Sequence, residues 1–397
     1  MSHKTALLNR ITTLQTIMRE KGIDVTLLRQ NADLFYFTGT VQDGHLVVPA
    51  YDTPRFWVWR SYERALKDSP LAELDYIKSL RGLSQFKELV HSSTLGDAKV
   101  VGLEMDVLPA SLYLFYTQKV WPHAKVVDIS PMVRTIRSIK DAHEICQIRQ
   151  AAHKVNVVLE KVPYFLKRSR TELDLAALIE AELRRQGHCG LMRMRIWNQE
   201  MGMDQVVSGS SAAIPSWTNT PVGGVGPHPA FGMGASFKEI KENEIVSVDI
   251  GGWHNGYCCD ITRPFFLGQP PKEVLEAFEV VKALMAKLES LLKPGTIAGE
   301  IYQFAIDFVD STGMSSHFMG VGNNRVSFIG HGLGIELDEF PFISKGNDML
   351  LEPGMVIALE PKIILRNYGV IGLEDTYIID NDGCQRLTMG KQELVVI

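Results

Sequence analysis

The sequence predicts an α/β N-terminal domain over residues 1–135 followed by a larger α+β domain over residues 136–397. Three observations carry this. The 397 residues are 45% hydrophobic with a mean hydropathy of +0.00, enough to bury two cores. Short β-rich runs alternate with helical stretches as far as Ile129. Beyond Asp141 the pattern twice reads as two helices followed by strands, so two similar halves enclose a site between them.

Leu7, Leu8, Ile11, Leu14, Ile17 and Met18 recur at helical spacing and stop at Gly22, which predicts an amphipathic opening helix. Strands are expected at Val25 to Leu28, His45 to Val48, Phe56 to Trp59 and Lys99 to Leu103. In the second domain one long helix is expected from Asp141 to about Leu166. Another is capped by Thr171 with Asp174 three residues on, and ends at Gly187. Lys272 to Leu292 repeats the helical period, Pro294-Gly295 breaks it, and a further helix runs from Ala298 to Asp310 before Gly313.

Composition excludes several partners. Forty-one Lys and Arg against 46 Asp and Glu leave a net charge of -5 with no basic block to track phosphates, so no nucleic acid is expected. The 5 cysteines form no CxxC pair, which argues against a disulfide framework and a cysteine zinc site. Charged residues interrupt the first 28 positions as they would not in a signal peptide, and no apolar run is long enough to span a bilayer. The expectation is a cytoplasmic protein with a small-molecule or small-peptide substrate and no membrane partner.

The informative residues are acids. Glu244 to Ile250 and Tyr257 to Phe266 flank Asn255-Gly256, a strong hairpin signal. With those two as the turn, Asp249 pairs with Thr262 and Asp260 lies diagonal to Asp249 on the same face, roughly 7–8 Å away at the backbone. A one-residue slip would part them. Near the C-terminus, Met355 to Ile364 and Val370 to Ile379 flank a loop centred on Asn367, which sets Glu360 opposite Glu374. Four inward carboxylates repel one another and call for divalent cations. His331, flanked by Gly330 and Gly332, completes a mixed oxygen and nitrogen set suited to two divalent ions of Mn, Co, Zn or Fe.

These five residues, within VDIGG, YCCDITRPF, GHGLGIELDE, LEPGMVIALEP and GLEDTYII, resemble the ligand blocks of the pita-bread metallopeptidases. That family includes Xaa-Pro aminopeptidase, Xaa-Pro dipeptidase (prolidase) and methionine aminopeptidase. KGIDVTLLRQNADLFYFTGT is similar to the creatinase-type N-terminal domain of the Xaa-Pro branch. The resemblance implies an α+β pita-bread (creatinase/aminopeptidase) catalytic domain, a homodimer, and cleavage of the bond before proline in small peptides. It implies Asp249 as terminal ligand of one ion, Asp260 and Glu374 as bridges, and His331 with Glu360 on the other ion. Glu360 would also shuttle the proton, and His228 would contact substrate.

The resemblance fails at two places. Asp338 stands where the Xaa-Pro branch has a second histidine, and an ionised aspartate cannot donate to an oxyanion. Gly372 stands where an arginine is usual. Both change the substrate shell, so Asp338 is a candidate partner for a cationic group. The alternative function is a small-molecule hydrolase or lyase acting on a cationic metabolite. Pro215 to Gly234 is expected to form a loop at the site, with Trp217 in it. HEICQ lacks the second histidine of a zinc-protease helix and reads as a helix start, Gly223, Gly224 and Gly226 read as loop, and Cys258 and Cys259 as packing.

Overall fold

The computed structural model describes residues 2–397. The chain forms two compact units. One runs from the N-terminus through Arg137 and takes in Asp141–His143 and Arg195–Asn198; the other contains Ser138–Lys140, Glu144–Met194 and Gln199–Ile397.

The first unit is a six-stranded mixed sheet of β1 (Val25–Leu28), β2 (Gly44–Pro49), β3 (Arg55–Val58), β4 (Ile77–Ser79), β5 (Val100–Leu103) and β6 (Lys125–Asp128), in the order β4-β3-β2-β1-β5-β6. The opening helix His3–Glu20 starts where the Ser2 hydroxyl accepts from the Thr5 N–H, and buries Leu7, Ile11, Leu14 and Met18. Phe86, Tyr116 and Trp121 form an aromatic core beside β1, β2 and β5. Asp33 is fully buried between two guanidinium groups, with Arg137 Nη1 and Arg195 Nη1 each donating at 2.7 Å. Arg195 reaches it from a segment that is remote in sequence.

His45, also fully buried, stacks on Phe86, and its Nε2 accepts from Tyr116 and Arg29. Burial and the Arg29 charge lower its pKa to about 2. In the unfolded chain it titrates near 6.5, so below that pH the unfolded state binds a proton that the folded state lacks. Stability of this unit therefore falls as pH drops from about 6.5, by up to about 1.4 kcal/mol per pH unit from this residue. Urea titrations between pH 7 and pH 5 should show His45→Gln losing that part of the slope; equal slopes would contradict the assignment.

The second unit contains β7 (Asp204–Ser208), β8 (Ile245–His254), β9 (Tyr257–Phe266), β10 (Phe328–Gly332), β11 (Glu339–Ser344), β12 (Val356–Leu359), β13 (Lys362–Leu365), β14 (Gly369–Gly372), β15 (Asp375–Ile379), β16 (Cys384–Arg386) and β17 (Val395–Val396). They assemble as β17-β9-β8-β7, β11-β10-β12-β15-β16 and the pair β13-β14. Helices Lys272–Leu291 and Ala298–Thr312 lay Val281, Leu284, Leu288, Ile301 and Ala305 against Ile357, Ile363 and Tyr377. The predicted Thr171–Asp174 capping box opens helix Glu172–Arg185.

The helix expected from Asp141 to Leu166 is instead two, Ala142–Leu159 and Val162–Leu166. Pro163 has no N–H, and its ring would strike the carbonyl of residue 159 if the first helix continued. The chain breaks at Glu160-Lys161 and restarts with the proline in its first turn. The first of these helices approaches β8 at Gly252, where a Cβ would lie 2.9 Å from the Ala151 carbonyl oxygen. Glycine there lets helix and strand meet closely, two residues from the position opposite Ile261.

Candidate metal centre

Asn255 and Gly256 both have positive φ, 47° and 93°, which is the turn that a tight two-residue hairpin requires. The β8–β9 register is as predicted: Asp249 faces Thr262 and Gly251 faces Asp260. The C-terminal pairing also keeps the predicted register, Val356 with Ile378 and Lys362 with Gly372, but the ladder is split. Pro361 cannot donate a ladder bond, so β12 and β13 join different sheets and Glu360 and Glu374 sit at the break. Their N–H groups turn to other strands, Glu360 to the Ile329 carbonyl and Glu374 to the Thr262 carbonyl. Those two bonds draw the C-terminal acids towards His331 on β10 and Asp260 on β9.

Asp260, His331 and Glu374 are buried and offer ligand atoms all within 4.8 Å of one another. His331 Nε2 lies 4.0 Å from Asp260 Oδ2, 3.8 Å from Glu360 Oε1 and 3.9 Å from Glu374 Oε1. The Nδ1 side of the ring faces the Gly332 carbonyl at 3.1 Å and Asp338 Oδ1 at 3.7 Å, so a proton on Nδ1 leaves the Nε2 lone pair turned to the carboxylates. Glu374 Oε1 is buried without a hydrogen-bond partner among the described residues, while Oε2 accepts from Thr262 at 2.7 Å. An orphaned carboxylate oxygen beside an imidazole and a second carboxylate is a donor set that fits a divalent ion.

The electrostatics agree. Burial and the Glu374, Asp249 and Glu360 carboxylates push Asp260 well above the usual carboxylate range. Burial also raises Glu374, with Asp249 and Glu360 adding and Lys362 opposing, to about 8. Burial disfavours the charged His331 ring, but Asp338, Glu360 and Glu374 outweigh it and raise its pKa. Such a cluster is uncomfortable without a cation.

The structure thus gathers Asp260, His331, Glu360 and Glu374, with Asp249 beside them and Asp338 behind the imidazole. His228 is not part of this group. It is exposed in a turn with Phe231, and its Nδ1 accepts from the Ala230 N–H. The 215–234 loop is tied to the strand next to Asp249: Gln205, opposite Asp249, donates from Nε2 to the Val222 and Gly223 carbonyls at 2.6 and 2.8 Å. Cys258 and Cys259 are buried packing residues whose thiols burial pushes up, away from reactivity.

One residue was missed. Lys362 places its Nζ 2.7 Å from Glu360 Oε2, 3.0 Å from Asp249 Oδ2 and 3.3 Å from Glu374 Oε2. Burial works against this ammonium, yet Asp249, Glu360 and Glu374 hold its pKa well above the ordinary lysine value. The signal was available: a lysine two residues after Glu360 shares its strand face, and the register that pairs Glu360 with Glu374 sets it opposite Gly372.

Residues 146–381 match metallopeptidase family M24, and residues 10–139 match the creatinase/prolidase N-terminal domain. The chain is 25% identical over 389 residues to Xaa-Pro dipeptidase of Pyrococcus furiosus, covering 97% of this chain and 99% of that one. It is 28% identical over 394 residues to probable dipeptidase PepE of Mycobacterium tuberculosis, covering 95% and 93%. Among solved structures, Xaa-Pro dipeptidase from Bacillus anthracis superposes with a TM-score of 0.82 at 25% identity, over 98% of this chain and 100% of that one. The prolidase of Pyrococcus horikoshii superposes at 0.80 and 23%, with 98% and 100% coverage. With the buried acid and histidine cluster inside the matched region, the chain belongs to metallopeptidase family M24 and carries a creatinase/prolidase N-terminal domain ahead of its pita-bread domain.

Proposed function

We propose that this enzyme is a metal-dependent Xaa-Pro peptidase, a dipeptidase or aminopeptidase that cleaves the bond before proline in small peptides. The observation that carries the reading is the buried Asp260, His331 and Glu374 cluster in a chain similar over almost its whole length to named Xaa-Pro dipeptidases. Manganese, cobalt, zinc or iron suits this donor set, and a cytoplasmic homodimer is the form the reading expects.

Asp260, His331 and Glu374 would hold a divalent ion, which when bound acidifies water and polarises a carbonyl. The protein supplies the rest. Glu360 takes the proton of the attacking water as its oxygen bonds to the scissile carbonyl carbon, then delivers it to the leaving nitrogen as the C–N bond breaks. Glu360 is held for this by the Lys362 hydrogen bond on Oε2, which leaves Oε1 turned to the reacting side. Asp338 lies beside His331 Nδ1 and keeps the imidazole oriented, so it acts through the histidine. Asp249, whose side chain is 20% exposed, stands at the open edge where a peptide's charged amino terminus would be drawn.

The test is release of free amino acid from Xaa-Pro, Xaa-Pro-Yaa and Xaa-Ala peptides by metal-stripped enzyme reloaded with Mn²⁺, Co²⁺ or Zn²⁺. Metal-dependent cleavage confined to the proline peptides is expected, and the dipeptide to tripeptide ratio names the branch. Metal uptake without cleavage of any of them would reject the substrate assignment and direct the search to small cationic metabolites.

A further inference from the structure

We infer that the Lys362 ammonium fills one of the two cation positions among these carboxylates, so that the centre takes one divalent ion per chain. The inference rests on the reading of this cluster as a metal centre. It departs from the two-ion expectation drawn from the sequence.

Each glutamate divides its oxygens between two directions. Glu360 Oε2 and Glu374 Oε2 face Lys362 Nζ at 2.7 and 3.3 Å, while their Oε1 atoms face His331 Nε2 at 3.8 and 3.9 Å. Asp249 Oδ2 completes the lysine side at 3.0 Å, and Asp260 Oδ2 completes the histidine side. The carboxylates therefore surround two positions. An ammonium occupies the first with three donors on three acceptors, which is all the hydrogen bonding it can make. The second is lined by His331 Nε2 and by the orphaned Glu374 Oε1.

A second ion needs the same oxygens. Metal–oxygen distances of about 2.0–2.2 Å cannot be met around a point where Nζ already lies at hydrogen-bond distance from all three. Lys362 also lacks an exit. Its side chain is 2% exposed, and its stem runs over Gly372, where even a Cβ would lie 2.6 Å from Lys362 Cγ. Glycine at 372 is what lets the stem pass through to the acids. An ion that displaced the ammonium would leave a buried charge seeking a new partner, which is strongly disfavoured. Lysine's single charge cannot acidify water as a dication does, so the ion on the histidine side would carry that chemistry alone.

The experiment is metal stoichiometry of the full-length, metal-stripped chain dialysed against Mn²⁺, read by elemental analysis and by electron paramagnetic resonance. One Mn²⁺ per chain with the six-line spectrum of an isolated ion is expected. Lys362→Ala should take up two per chain, a twofold rise, with the spectrum of an exchange-coupled pair, and Lys362→Arg should stay at one. Two coupled ions in the unsubstituted protein would overturn the inference, and so would one ion in Lys362→Ala with native circular dichroism. If the alanine variant does not fold, Lys362→Gln takes its place, and the unsubstituted stoichiometry already decides the main point. Peptide release from the same preparations reports separately: one ion without release refutes the peptidase reading alone, and two ions with release refutes this inference alone.

Discussion

Asp260→Ala abolishes metal-dependent hydrolysis while leaving the metal-free fold at least as stable as before. Both halves follow from the same placement. Asp260 Oδ2 is one of the oxygens facing His331 Nε2, and its carboxylate belongs to the buried set within 4.8 Å. Changes to residues that merely support metal ligands cost about 10–100-fold in affinity or activity, so loss of a ligand should exceed about 100-fold in kcat/KM. Without metal, however, Asp260 is a liability. Burial and three neighbouring carboxylates disfavour its charge, and removing it relieves repulsion on Glu374 and Asp249. The check is peptide release alongside thermal melting of metal-stripped protein. Activity within a few-fold of the unsubstituted enzyme would remove Asp260 from the centre, and a large fall in metal-free melting temperature would make its role structural.

The second large effect is on stability and lies in the N-terminal unit. Asp33→Ala removes the carboxylate shared by Arg137 and Arg195, whose side chains are 1% and 2% exposed. Breaking a buried pair by removing one partner costs about 3–5 kcal/mol. Arg195 retains Asp106, its partner at 2.6 Å. Burial alone would raise the Asp33 carboxyl, but Arg137, Glu104 and Arg195 together hold it well below the usual range. A carboxylate depressed in this way contributes its stability above its ordinary pKa of about 4 and loses it as pH falls further. Denaturant unfolding at neutral pH should therefore show the deficit, which shrinks in acid. A variant that unfolds with the native midpoint at pH 7 would show that the arginines find other partners.

Much of the centre was legible because it depends on local rules. Asn255-Gly256 dictates a two-residue turn, and once the turn is set, period-two alternation places Asp249 and Asp260 on one face. The same counting about Asn367 aligns Glu360 with Glu374. The capping box at Thr171 and the glycine stop at Gly313 are short-range hydrogen-bonding and backbone effects, and both appear where expected. Pro163 shows the limit within one element: apolar periodicity continues through it, but the missing N–H ends the helix at Leu159.

The sequence by itself determined the hairpin registers, the set of acids and the histidine that resemble a metallopeptidase centre, because each follows from residues within a few positions of one another. Tertiary structure decided the rest. It brought Arg195 to Asp33 and divided β12 from β13 at Pro361, so that Glu360 and Glu374 turn to β10 and β9. It left His228 exposed in a turn, and it ran the Lys362 stem over Gly372 into the carboxylates. These are meetings between segments tens to hundreds of residues apart. Their outcome depends on which buried charge finds a partner and which side chain finds room, quantities that exist only once the chain has packed.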